Sequence, residues 1–282
     1  MKTLMDVQTL RDRMTSGLQT VLLDVRWALG DPHGHGHYQS AHIPGAVYVD
    51  LEATLSGEPS AREGRHPLPG LEQLQEAARQ WGINDGDVVV AYDNSGNTSA
   101  ARLWWLLRWA GLDTVQLLDG GLAAWVDAGY ETEGGEEQHC LGEVELGLDE
   151  EGGSGAMPVT DIDGVQGIAE HGVLLDARAG ERFRGEVEPL DPKAGHIPGA
   201  VSAPTSENLA PDQRFKTPAD LRRRFEAFGV NDAVDVAVYC GSGITAAHQI
   251  AALEIAGYPA ALYPGSWSQW SSRSDLPVAT GA

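Results

Sequence analysis

Cys240 ends an apolar, β-branched run, Val236 to Tyr239, and Gly241, Ser242 and Gly243 follow it. The run has the length and composition of a buried strand. The two glycines supply the torsional freedom of a tight loop. From Thr245 onward, Ala246, Ala247, Ile250, Ala251 and Leu253 recur with a helical period. A cysteine is therefore expected on an amide-lined loop between a strand end and a helix N-terminus. Inward N–H groups and the positive end of the helix dipole favour a thiolate there and would also hold a second anion. The chemistry on offer is nucleophilic, with charge stabilised by the backbone. The alternative is a small buried residue with no task beyond packing.

Other residues in the chain could do chemistry. His33, His35 and His37 lie in DPHGHGHYQS, and a solvated loop is expected there in preference to a metal tract, because no cysteine or convincing carboxylate accompanies them. Cys140 sits among acidic and glycine residues that would not activate a thiol. It is read as a connector residue, the alternative being a resolving thiol for Cys240.

The elements that would position Cys240 are duplicated. VLLDVRW (21–27), AHIPGAVYVD (41–50), VVVAYDNSGNTSAARLWWLL (88–107) and LLDGGLAAW (117–125) recur as VLLDARA (173–179), GHIPGAVSAP (195–204), VAVYCGSGITAAHQIAAL (236–253) and LYPGSWSQW (262–270). Blocks, order and gaps are alike. Short apolar strands alternate with helical patterns such as Leu71–Trp81 and Ala219–Phe228. The fold class is therefore α/β, each half a mostly parallel sheet with helices on both faces and its site at the strand C-termini. The residue matching Cys240 in the first half is Asp93, which cannot carry sulfur. The first half is thus expected to be a non-catalytic copy that builds one wall of the site. His42 and His196 occur in both copies of H-I-P-G-A, so a turn-fixing hydrogen bond is expected of each, with Gly45 and Gly199 in unusual torsions. The repeated Asp24–Arg26 and Asp176–Arg178 are expected to pair with local backbone. Residues 131–157, rich in Glu and Gly, read as an acidic, solvated linker with one extended piece, Val144–Leu148.

Composition narrows the partners. The chain has 282 residues and a formal net charge of −22, which argues against nucleic acid and anionic membrane. Its lysines are Lys2, Lys193 and Lys216, so positive charge near Cys240 must come mostly from Arg, His and backbone dipoles. Two cysteines make no disulfide framework and suit a reducing compartment. No signal peptide or membrane span is apparent, and a cytoplasmic monomer is expected.

The run from Cys240 to Ala246, Cys-Gly-Ser-Gly-Ile-Thr-Ala, resembles the active-site loop of rhodanese-type sulfurtransferases, in particular the 3-mercaptopyruvate branch. Cysteine phosphatase loops are similar but need an Arg six residues after the Cys, where this chain has Ala246. With the duplicated blocks, the resemblance implies tandem rhodanese-like domains over 1–130 (non-catalytic) and 158–282 (catalytic), joined by the linker 131–157. It implies that Cys240 attacks a small anionic sulfur donor, carries a persulfide, and passes the sulfur to a thiol or cyanide, with no metal or organic cofactor. Ser242 and His66 match a family Ser-His-Asp relay, with Glu52 where the family has Asp. Gly241, Gly243, Ile244 and Thr245 would line the donor with loop amides.

Arg182, in R-F-x-G, would bind the anionic end of the donor, with Arg184 as a spare. The family's second Arg after Glu-Pro is missing. Glu188-Pro189 is followed by Leu190 and Asp191, and Lys193 is the candidate replacement. The neutral Gly241 and Ser242 favour 3-mercaptopyruvate over dianionic thiosulfate. The alternatives are thiosulfate as donor and a persulfide carrier fed by a partner protein.

Overall fold

The computed structural model describes residues 2–147 and 157–282. The chain forms two compact units, each built on a parallel sheet.

In the first unit the elements run β1 (Leu4–Met5), α1 (Val7–Thr15), β2 (Thr20–Asp24), α2 (Gly34–Ser40), β3 (Ala46–Tyr48), α3 (Leu51–Thr54), α4 (Leu71–Gln80), β4 (Val88–Tyr92), α5 (Ala100–Trp109), β5 (Val115–Leu118) and α6 (Gly121–Asp127). The sheet order is β1-β5-β4-β2-β3. In the second unit they run α7 (Ile162–His171), β6 (Val173–Asp176), α8 (Gly180–Phe183), β7 (Val201–Ser202), a 3-10 turn (Thr205–Asn208), α9 (Pro218–Ala227), β8 (Val236–Tyr239), α10 (Ile244–Ala256), β9 (Ala261–Leu262) and α11 (Ser266–Ser272). Here the order is β7-β6-β8-β9, and Val159 adds a single parallel bridge to Leu262 at the place β1 holds in the first sheet. The duplication read from the sequence is thus a duplication of topology. Strands buried on both faces need hydrophobic runs without alternation, which VLLD and VAVY supply.

Each unit has its own core. In the first unit Leu22, Val90 and Tyr92 pack with Val7 and Leu10 of α1 and Trp125 of α6. In the second unit Leu174, Ala237 and Tyr239 pack with Val165 of α7 and with Trp267 and Trp270 of α11. Each side chain of this size stabilises the fold by about 1.5–3 kcal/mol when fully buried.

The repeated blocks have matching structural tasks. His42 and His196 hydrogen-bond through Nδ1 to the carbonyls of Tyr38 (2.9 Å) and Phe183 (2.8 Å). The Ile43 and Ile197 N–H groups donate to the buried Tyr92 and Tyr239 hydroxyls. Gly45 and Gly199 take positive φ, at 77° and 85°, as expected for these turns. The Asp-Arg repeat differs from its expectation: Arg26 and Arg178 pair first with Asp24 and Asp176, and reach backbone carbonyls (His37 and Ala41, and Gly195) with their remaining donors.

The boundaries also depart from a simple halving. Ser56–Leu68, from the first half, belongs to the second unit, and Pro211–Phe215, from the second half, belongs to the first, where the Phe215 N–H donates to Asp119. Of the segment expected to be a solvated linker, residues 131–141 are exposed or half-buried, in keeping with that expectation, while 142–147 packs on the first unit. Gly142, Val144 and Gly147 donate to the carbonyls of Arg79, Ile83 and Ala110, and Val144 and Leu146 are buried. Their alternation with exposed Glu143 and Glu145 marks an extended strap. Leu148 and the rest of the linker through residue 156 lie outside the described residues. Cys140, in the strap, is exposed and unbridged.

Candidate active site

Cys240 is buried at the C-terminal end of β8, with only 2% of its surface exposed. Gly243 closes the loop in the left-handed region at φ 82°, and its N–H donates to Cys240 Sγ at 3.1 Å. A side chain at Gly243 would come 2.7 Å from the Pro264 carbonyl oxygen, so the position needs glycine for both torsion and space. Ile244 then opens α10. The cradle expected from Cys240, Gly241 and Gly243 is formed.

The first turn of α11 braces the loop from behind. Trp267 and Ser268 donate their N–H groups to the carbonyls of Cys240 and Gly241. The Ser266 hydroxyl accepts the Cys240 N–H at 3.2 Å and donates to the Tyr263 carbonyl at 2.9 Å. Ser266 adopts φ 52°, a strained value for a residue with a side chain. Its counterpart in the duplicated block is Gly121, at φ 56°. The strain is tolerated where the hydroxyl has a buried amide to satisfy. Sequence reading passed over Ser266; aligning GSW with GGL was the available signal.

A loop closed by the Ser60–Gly64 bridge and by the Gly57 N–H to the Pro67 carbonyl supplies two more side chains. Its Gly64 sits against the Gly265 carbonyl, and the Arg65 N–H donates to Ser268 Oγ at 3.1 Å. This anchoring brings His66 to Ser242, with Nδ1 and Oγ 2.7 Å apart. It also brings in Arg65, which the sequence reading missed. A Cβ at Gly241 would lie 3.1 Å from Arg65 Nη2 and 3.5 Å from Arg182 Nη1. Two guanidiniums therefore stand over the residue after Cys240.

Both arginines are held by buried acids. Arg182 pairs with Glu188 at 2.7 Å and with Asp191 at 3.4 Å. Arg65 is ion-paired with Asp191. Burial pushes the Asp191 carboxyl above the usual range, and the nearby Arg65 and Arg182 charges pull it back. The segment carrying Arg182 is a helical turn, α8, with Arg184 exposed and paired with Glu186, so Arg184 is no spare. Lys193 is no replacement either: its ammonium donates to the Arg273 carbonyl at 2.6 Å. Thr245 lies within α10 beyond Ile244, and no hydrogen bond ties either side chain to Sγ.

Glu52, the expected third member of the relay, lies in α3 of the first unit, where its carboxylate accepts the Trp27 indole N–H at 3.1 Å. The histidine tract is helical rather than a loop, and its members diverge: His35 pairs with Glu136 and His37 with Asp31.

The first unit shows what the cradle does without sulfur. Asp93, 1% exposed, occupies the matching strand end. Its carboxylate accepts four backbone N–H groups, from Ser95, Asn97, Ser99 and Ala100, at 2.7–3.1 Å. The chain thus fills its own anion site. Asp93→Asn turns an amide group toward those donors and is expected to cost about 1–3 kcal/mol of stability. Urea unfolding of the variant checks this.

Comparison with known proteins agrees with the geometry. The rhodanese-like domain family matches residues 6–128 and again 163–273. A Pseudomonas aeruginosa protein named "Probable 3-mercaptopyruvate sulfurtransferase" is 47% identical over 266 residues, 93% of this chain and 92% of that one. A Mycobacterium tuberculosis protein named "Putative thiosulfate sulfurtransferase SseB" is 44% identical over 261 residues, 92% of this chain and 90% of that one. The crystal structure of the 3-mercaptopyruvate sulfurtransferase SseA from Escherichia coli superposes with a TM-score of 0.82 at 32% identity, over 95% of this chain and 99% of that one.

Proposed function

The chain belongs to the rhodanese-like family of sulfurtransferases as a tandem member, and we propose that it moves sulfur from 3-mercaptopyruvate through a Cys240 persulfide to a thiol or cyanide. One observation carries the reading: Cys240 Sγ rests on the Gly243 amide, on a loop whose Gly241 is faced by the guanidiniums of Arg65 and Arg182. A nucleophile beside two cations fits an anionic donor.

The Cys240 thiolate attacks the donor's thiol sulfur. An S–S bond forms as the C–S bond breaks, and the electron pair leaves as the enolate of pyruvate. The proton on the donor's sulfur ends on the pyruvate methyl carbon. Ser242 and His66, in contact at 2.7 Å, are placed to relay it. The acceptor then attacks the outer sulfur and restores the thiolate, a ping-pong sequence. The relay is read here from Ser242 and His66. Arg182 and Arg65 hold the donor carboxylate. Gly241, Gly243, Ile244 and Thr245 present the loop backbone to the thiolate and the enolate oxygen.

Charge supports the donor. The two arginines over the loop are matched by Glu188 and Asp191, and Gly241 and Ser242 are neutral. Little net positive charge is left for a dianion, which favours a monoanionic donor over thiosulfate. The reading also treats the protein as a cytoplasmic monomer, where a reducing compartment supplies thiol acceptors and keeps both cysteines free.

Steady-state assays of one preparation with both donors test this, together with mass spectrometry after donor removal. A higher kcat/KM with 3-mercaptopyruvate is expected, with one pyruvate released per sulfur gained on Cys240. A higher value with thiosulfate would move the donor. Sulfur gain from neither donor, with loading only by another persulfide protein, would make the chain a carrier.

A further inference from the structure

The H-I-P-G turn of the first unit holds a group that the sulfur chemistry does not use. His42 is fully buried, its ring stacked on Tyr38 with centroids 4.1 Å apart. Its Nδ1 meets the Tyr38 carbonyl at 2.9 Å; a carbonyl only accepts, so Nδ1 donates, and in the neutral ring Nε2 carries the lone pair. That Nε2 is buried and has no hydrogen-bond partner. It points at two carboxylates: Glu133, whose Oε1 is 3.7 Å away, and Glu137. One ligand atom from each of the three residues fits within 4.8 Å of the others.

The duplication supplies an internal control. His42 and Glu133 form a two-way antiparallel bridge, N–H to carbonyl at 2.8 and 3.0 Å. His196 and Ala279 form the same bridge in the second unit, at 2.9 and 3.0 Å. The backbone scaffold therefore forms without a carboxylate; in the first unit Glu133 adds one that accepts the Gly45 N–H and also faces His42 Nε2. The Nε2–Oε1 distance of 3.7 Å is longer than a hydrogen bond. It is close to the separation, about 3.4 Å, of two ligand atoms on a tetrahedral ion with bonds of about 2.1 Å. The Nδ1–carbonyl contact is the outer hydrogen bond that fixes a metal-bound imidazole.

We propose that His42 Nε2, Glu133 and Glu137 bind one divalent cation of the zinc type. Three ligands of this kind leave at least one position for water at the half-exposed carboxylates. Glu133 and Glu137 precede the strap that runs over the first unit, so the ion pins the start of that strap to the H-I-P-G turn. It is a structural ion, remote in role from sulfur transfer, and it stands or falls independently of the donor.

The test uses the full chain, stripped with a chelator and carrying Cys140→Ser and Cys240→Ser so that no thiolate competes. Zinc chloride is titrated by calorimetry and by thermal unfolding, in this parent and with Glu133→Gln or Glu137→Gln added. Glu133→Gln keeps an oxygen for the Gly45 N–H that Glu133 accepts. One ion per chain is expected, with a Tm that rises with zinc concentration. Affinity should fall by about tenfold or more in each Gln variant while the zinc-free Tm stays near the parent's. Absence of a zinc-dependent rise in the parent would overturn the proposal and leave His42 to be compensated by a proton. So would a rise that survives in both Gln variants, or one lost only on His35→Gln and His37→Gln.

Discussion

Cys240→Ser is expected to abolish sulfur transfer from either donor, to below about one part in a thousand of the parent rate. A hydroxyl in the same place still accepts the Gly243 N–H that Sγ accepts, so the loop should keep its shape. An alkoxide is not formed at neutral pH, and oxygen cannot hold the transferred sulfur as a persulfide. Loss of activity with an unchanged Tm therefore isolates the nucleophile. Cys140→Ser, in the exposed strap, is the control and should retain most of the rate. Residual turnover of several per cent in Cys240→Ser, measured as pyruvate release, would remove Cys240 from the centre of the mechanism.

Arg182→Ala is expected to lower kcat/KM for 3-mercaptopyruvate more than tenfold, and Arg65→Ala to do the same. On the proposed reading, each change leaves the donor carboxylate with one guanidinium instead of two. It also leaves an acid less neutralised: Arg182 removal strips Glu188 of its 2.7 Å partner, and Arg65 removal strips Asp191 of its closest one. Truncating one member of a buried charge pair costs about 2–5 kcal/mol, and each 1.4 kcal/mol is tenfold. Lys at either position should recover only part, because an ammonium cannot make the two-pronged contact. Arg184→Ala, exposed and paired with Glu186, should change kcat/KM by less than about threefold. Kinetics of these variants with 3-mercaptopyruvate decide the matter. Equal small losses for all the alanine variants would mean that loop amides alone hold the donor.

The setting of Cys240 was legible in the sequence because strand, cysteine, glycine loop and helix are local patterns. β8 runs over Val236–Tyr239 as its β-branched composition dictates, and α10 starts one residue before the expected Thr245. The duplication was legible because both copies keep the same turns, down to the tyrosine hydroxyls that cap Ile43 and Ile197. Long-range pairing was much less so. His66 was placed by resemblance, and Arg65 beside it was overlooked because no local pattern links it to Asp191, 126 residues onward. Lys193 was a poor substitute because a long, exposed side chain finds the nearest carbonyl. The piece expected to be extended packs more closely than a solvated linker would, because its acidic run carries a two-residue period: Val144 and Leu146 are buried in the first unit while Glu143 and Glu145 are exposed.

Ser56–Leu68 has a consequence for how this molecule could be taken apart. The boundary that evolution duplicated and the boundary along which the chain condenses are not the same line. A fragment cut at the acidic connector would inherit Cys240, Ser242 and Arg182 but forfeit Arg65 and His66, which are stitched to it through Ser268 and Ser242. The half that carries Cys240 is thus not a transplantable module. Its working constellation is written in two distant passages of the gene, and neither passage alone spells it.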